Sequence, residues 1–165
     1  MRDKPTYNVT SAVHPQSGEQ RFVIVDRDGR LHSEGTAWLQ YLSDSGRSPH
    51  TAREYGRRVA WYLSWCAQTM DWRKATLSHI ALWRQTVAAT PAVRTNGQLG
   101  TRSASTVRLW IVAVRSFYEW ADAHELLGTD CQWPPRRPRS WPGGSPRLVG
   151  ASGWVSGVHL RSCRA

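Results

Sequence analysis

The side chains of this chain with the clearest chemical potential are arginines, and their spacing is helical. Arg108 and Arg115 lie two turns apart within SASTVRLWIVAVRSFYEWADAHELL (residues 103–127). Both fall just off an apolar stripe of Val107, Ile111, Val114, Tyr118 and Ala121, which Trp110 and Phe117 widen at its edge. In an earlier segment Arg53 and Arg57, with Ser64 further along, project from a different side than the inner stripe of Ala52, Tyr55, Val59, Tyr62, Leu63 and Cys66. A basic flank of this kind attracts polyanions such as DNA, while ordinary solvated arginines have equal weight on charge alone. Nucleophilic and metal chemistry find less support. Tyr55 and Tyr118 sit on inner stripes, and Cys66 reads as a small buried hydrophobe. The three cysteines, Cys66, Cys131 and Cys163, show no zinc spacing with any of the six histidines, so no metal or other cofactor is expected.

The charge is unevenly placed. Of 22 Lys and Arg, 16 lie in residues 1–130 with all 12 acidic residues, a net of +4. Residues 131–165 hold six Arg and no acid, a net of +6. The overall pI of about 10.5 therefore owes much to the last 35 residues. A chain of 165 residues with 40% hydrophobic content suits one domain with a modest core. The start MRDKPTYNVT has no apolar leader run, and no later stretch approaches a membrane span. The expectation is a cytoplasmic, reducing setting with no membrane and no small-molecule partner.

The elements that must position these residues follow from punctuation and periodicity. Residues 1–20 carry no periodic apolar pattern and read as a flexible lead-in. Phe22 to Val25 is a β-branched run, and Asp28-Gly29 can turn it into a small hairpin closing on Leu31. A first helix is expected over about Glu34 to Asp44, using Trp38, Leu39 and Leu42. A second starts at Ser48-Pro49, a good N-cap followed by a proline that fits the first turn. After a turn at Asp71-Trp72, a third starts at Thr76 and uses Leu77, Ile80, Trp83 and Val87. Pro91, Asn96-Gly97 and Gly100 mark a long loop, and the fourth helix begins after a Ser103 or Ser105 cap. The expected class is all-α: a domain over residues 21–130 in which a small hairpin precedes a four-helix bundle, followed by an irregular basic tail, 131–165. That tail has five Pro, six Arg and three Trp and no periodicity before Leu148. It reads as translation out of frame, since GC-rich coding sequence in the wrong frame tends to Arg, Pro, Gly, Trp and Ser. The alternative is a true basic tail that binds nucleic acid without sequence preference.

Two of these segments together resemble a known family. Ser48-Pro49-His50-Thr51 followed by Tyr55, Val59 and Trp65, and Ser105-Thr106, Arg108, Ala113, Val114, Arg115, Phe117, Tyr118 and Trp120, resemble signature positions of the tyrosine recombinases, the phage integrase family. The hairpin VIVDRDGRL and the entry helix Thr36 to Leu42 are also similar to members of it. The resemblance covers about Phe22 to Leu127 and implies the N-terminal core-binding domain, a SAM-like bundle that forms half of a clamp on double-stranded DNA. Its second and fourth helices would approach the major groove. By position the resemblance makes Arg53, Arg57, Arg108 and Arg115 candidates for phosphate or base contacts, and Thr51 and Ser105 candidates for phosphate hydrogen bonds at helix N-termini. Glu119, one turn after Arg115, and Glu54, beside Arg53, offer the competing reading of surface ion pairs.

The family's chemistry resides in a second domain with an Arg, a Lys, a His-x-x-Arg pair and a late Tyr nucleophile. None of these is matched here. Val158-His159-Leu160-Arg161-Ser162 resembles the His-x-x-Arg box, but its spacing is one short and no Tyr follows. The expectation is a truncated integrase that binds DNA, does not catalyse strand exchange alone, and could pair with an intact recombinase protomer. Two rivals stand beside it. A helix-turn-helix regulator fits the 14-residue loop from Thr90 to Ser103 poorly. A helical protein-interaction module would use Trp61, which lies roughly opposite the apolar stripe, as an exposed anchor.

Overall fold

The computed structural model describes residues 5–93 and 97–133. In chain order it contains β1 (Asn8–Val13), β2 (Gln20–Val25), α1 (Ser33–Asp44), α2 (Pro49–Thr69), a 3-10 turn (Trp72–Lys74), α3 (Leu77–Ala89), β3 (Ala92–Val93), β4 (Leu99–Gly100) and α4 (Ala104–Ala123). The helices start where the caps are. Ser48, Thr76 and Ser103 each accept from the backbone N–H three residues on, at 3.2, 3.3 and 3.2 Å. The chain is thus mostly helical, but the expected all-α class is only approximate, because two small antiparallel hairpins accompany the bundle.

The first hairpin differs from expectation in its partner. Asp28-Gly29 does form a turn: Asp26 Oδ1 accepts from Asp28 N and Arg30 N, each at 2.9 Å, and Gly29 has φ +77°. Only a single bridge, Val25 to Leu31, closes across it. The main partner of β2 is β1, paired from Asn8 with Val25 to Val13 with Gln20. Residues 8–13, expected to be part of a flexible lead-in, are therefore a strand. β1 is exposed at all but Val9, so backbone hydrogen bonds hold it and no apolar alternation advertises it.

α2 is the hub of the molecule, touching β1, β2, α1, α4 and the 3-10 turn. Gly56, Ala60 and Ser64, a stripe of small residues along it, let the hairpin and α1 approach closely. A Cβ on Gly56 would stand 2.9 Å from Leu39 Cδ2 and 3.1 Å from Val9 Cγ2. Ser64 is buried here, not projecting with Arg53 and Arg57: its Oγ accepts from Tyr7 N at 2.8 Å and donates to Ala60 O at 2.8 Å. The core between helices is strongly aromatic. Trp38, Tyr62, Trp83, Phe117 and Tyr118 are fully buried, and Trp72, expected only as a turn residue, is buried against Phe117 with ring centroids 4.9 Å apart.

α4 ends at Ala123, where Glu125 takes a left-handed φ of +57° and Leu126 N bonds Ala121 O at 2.9 Å. The chain then folds back on the 3-10 turn, with Gly128 N on Arg73 O at 2.9 Å and Gln132 N on Ala75 O at 2.8 Å. Trp133 packs against the core, so the bundle runs past Asp130, three residues into the segment read as tail. The remaining tail, with its reading-frame question and its His159-Leu160-Arg161 box, lies outside the described residues.

His32 joins the hairpin to α1. Its Nδ1 accepts the Gly35 N–H at 3.1 Å, which requires that nitrogen to be unprotonated, and its ring meets Tyr7 edge-on at 5.0 Å. Burial pulls its pKa below the usual 6.5; Glu34 opposes this, Arg73 adds to it. The unfolded chain therefore binds the proton more tightly. The contribution of neutral His32 is complete above pH about 6.5, the unfolded value, and is lost as pH falls through the lower folded value. Urea unfolding followed between pH 7.5 and 5 should show declining stability, and His32→Asn, which keeps a cap but cannot titrate, should flatten that decline. An unchanged decline in the variant would assign it to other groups.

Candidate nucleic-acid interface

The six residues singled out by sequence lie on two helices. On α2, Arg53 and Arg57 are exposed one turn apart in its N-terminal half, while Thr51 is partly buried in the first turn with its hydroxyl 2.9 Å from Ser48 Oγ. On α4, Ser105, Arg108 and Arg115 are all exposed, and Ser105 Oγ lies 2.9 Å from Ser103 Oγ. At 100° per residue these three fall within about 80° of the α4 circumference, outside the arc of the buried Val107, Val114 and Tyr118, with Arg115 at its border. Neither helix has an acidic residue in its first turn, so the positive end of each dipole is uncompensated there. No hydrogen bond, ion pair or ring contact among the described residues ties the α2 set to the α4 set.

The competing carboxylates are placed differently from expectation. Glu54 engages Arg57 at 3.2 Å and Arg58 at 3.8 Å, and does not pair with its neighbour Arg53. Glu119 accepts from Arg115 Nε at 2.9 Å. Arg53 and Arg108 have no ion-pair partner among the described residues. Exposed pairs such as Arg57–Glu54 and Arg115–Glu119 contribute about 0–1 kcal/mol, too little to hold a guanidinium back from a phosphate. Four arginines are thus available to a polyanion.

Trp61 is not an exposed anchor. Its ring is half-buried, 5.4 Å from Trp83 and 5.1 Å from Trp110, in a cluster that locks α2, α3 and α4 together. The reading of Trp61 as a protein-docking residue therefore falls, since its surface is already spent inside the bundle. Over this cluster lies Arg102, which sequence reasoning missed. Its guanidinium sits 5.6 Å from the Trp61 ring centre and 5.1 Å from that of Trp110. It also donates to Val87 O at 3.0 Å and Thr90 O at 2.8 Å, satisfying the end of α3. An arginine just before a serine cap, after a loop that ends a helix, was the only sequence signal for it. Arg102→Ala should cost about 2–3 kcal/mol in urea unfolding, and Arg102→Lys should recover less than half, because a point charge cannot stack and fork at once. Full recovery by lysine would reduce the role to charge.

Tyr62 and Tyr118 are in the interior, as their stripes implied. Tyr62 and Tyr118 hydroxyls lie 2.8 Å apart, and Tyr118 donates to Trp72 O at 2.5 Å. Burial raises both pKa values above the usual 10, and pushes the Cys66 thiol up to about 12. Tyr55 is half-buried beside the core, under the Arg58 guanidinium at 6.0 Å. A cleft of about 420 Å³ between the first hairpin, the end of α2 and the 3-10 turn is lined by both signs of charge, including Arg30, Asp26, Glu34 and Arg73, and contains none of the candidate residues. Among the described residues no group of three or more His, Cys, Asp or Glu could hold a metal ion, and no helix is long and apolar enough to cross a membrane.

The family model described as phage integrase, N-terminal SAM-like domain, matches residues 36–125. That range runs from the first turn of α1 to just past α4, and it leaves the β1–β2 hairpin outside. No curated protein and no solved structure matches the chain. With more than half of its length matched, from α1 through α4, the chain belongs to the family of phage integrase N-terminal SAM-like domains.

Proposed function

We propose that this chain binds double-stranded DNA as the core-binding module of a tyrosine recombinase, through the N-terminal half of α2 and the outer stripe of α4. The observation that carries it is the exposed set Arg53, Arg57, Arg108 and Arg115 on the two helices of a family whose domain is associated with integrase. Guanidinium groups on two helix faces can straddle a phosphate backbone, and the uncompensated N-termini add donors for phosphate oxygens. These residues bind DNA without cutting it. Partners of this module are an attachment-site duplex and, within a recombination complex, an intact recombinase protomer.

The test is a titration of a labelled duplex with the full chain at 50 and 200 mM salt, followed by fluorescence anisotropy. Four phosphate contacts predict a fall in affinity of about 100-fold or somewhat more between the two. Affinity that ignores salt, or no binding at 50 mM, contradicts the proposal. A helix-turn-helix regulator gains nothing from the structure, since the connection between α3 and α4 carries the β3–β4 pair instead of a tight turn.

A further inference from the structure

The outer face of α4 is not purely polar. Leu109 is 46% exposed and Val112 40% exposed, three residues apart. With Ser105, Arg108 and Arg115 they occupy about 120° of the helix circumference and about 15 Å of its length. Single exposed leucines need no explanation. α3 has two, Leu77 at 53% and Leu82 at 51%, but these are five residues apart, about 140° around the helix, and form no common face. On α4 the apolar pair lies between two arginines, and no acidic residue occurs in the helix before Glu119. Arg108 and Arg115 share one edge of this strip, about 20° apart, with Val112 beside them and Leu109 at the other edge, so it complements a surface with an anionic rim and isolated apolar points next to that rim.

The major groove of duplex DNA is such a surface. Phosphates line its edges, and the only apolar group its base pairs present is the C5 methyl of thymine. We propose that Leu109 and Val112 are specificity-determining residues that pack on thymine methyls while Arg108 and Arg115 hold the flanking phosphates or guanine edges. This rests on the DNA-binding reading above and adds to it a chemical preference at named side chains. Both residues stand on the middle turns of a 20-residue helix whose opposite face is fixed by the aromatic core, so their positions are set before DNA arrives.

The experiment begins by selecting a bound duplex from a random pool with the full chain. Each thymine in that duplex is then replaced singly by deoxyuridine, which lacks only the C5 methyl. The wild-type protein should lose about three- to tenfold in affinity at one or two neighbouring positions. The double variant Leu109→Ala/Val112→Ala should bind the parent and the substituted duplexes equally, with the same salt dependence and an unchanged melting temperature. If wild type is indifferent to deoxyuridine everywhere, or the variant stays sensitive, the proposal is overturned while DNA binding stands. If the double variant alters only self-association of the chain, the strip is a protein contact and the proposal is also overturned. Failure to select any duplex would overturn the DNA-binding reading itself.

Discussion

Trp83→Ala is expected to destabilise the bundle by about 3–5 kcal/mol, enough to leave a marginal domain largely unfolded. Trp83 is fully buried on α3, and its ring centroid lies 5.3 Å from Tyr62, 5.4 Å from Trp61, 5.5 Å from Trp65 and 6.2 Å from Trp110. One side chain thus fastens α3 to both α2 and α4. Removing it loses the transfer term of a large aromatic and leaves a cavity whose walls are rigid rings. Its Nε1–H is buried with no acceptor among the described residues, so packing is what holds the ring there. Trp83→Phe, which keeps most of the packing and removes the orphan donor, should cost less than half as much. Urea unfolding followed by circular dichroism gives both numbers. A cost below about 1 kcal/mol for the alanine variant would mean that α3 is not anchored through this ring.

The charge-reversed double variant Arg108→Glu/Arg115→Glu is expected to lose at least about 100-fold in duplex affinity at 50 mM salt. Each arginine removed should lower the slope of log affinity against log salt by about 1. Both side chains are exposed and lie off the buried stripe, so stability should move by less than about 1 kcal/mol. That separation of binding from folding is what makes the variant informative. Anisotropy titration, with a melting curve as the folding control, reads both. Unchanged binding would remove α4 from the interface.

How legible this molecule was depended on which forces hold each part. The caps Ser48, Thr76 and Ser103 announced α2, α3 and α4, because a short hydroxyl beside three free N–H groups is local chemistry. The stripes on α2 and α4 gave the core, including Tyr118. β1 was not legible, since Asn8–Val13 lies almost wholly exposed and is held by pairing to β2, a contact with no side-chain signature. Ser64 and Trp61 were misplaced for one shared reason. α2 is covered on several sides, so a polar serine and a tryptophan off the main stripe are both absorbed by neighbours from distant sequence. For the site, the exposure of Arg53, Arg57, Arg108 and Arg115 was foreseeable from helical phase alone. That Glu54 takes Arg57 and leaves Arg53 was also readable, because neighbours on a helix point about 100° apart while residues three or four apart face each other. Leu109 and Val112 could have been noticed as apolar residues three apart on a polar face.

The central claim is that DNA meets the N-terminal half of α2 and the outer face of α4. Backbone amide hydrogen exchange of the full chain, measured with and without a selected duplex, tests it most directly. Added protection is expected at residues 48–57 and 103–115, with little change in α1 and the β1–β2 hairpin. Protection confined to α1, the hairpin or the cleft lined by Arg30 and Arg73, with α2 and α4 unaffected, would contradict it.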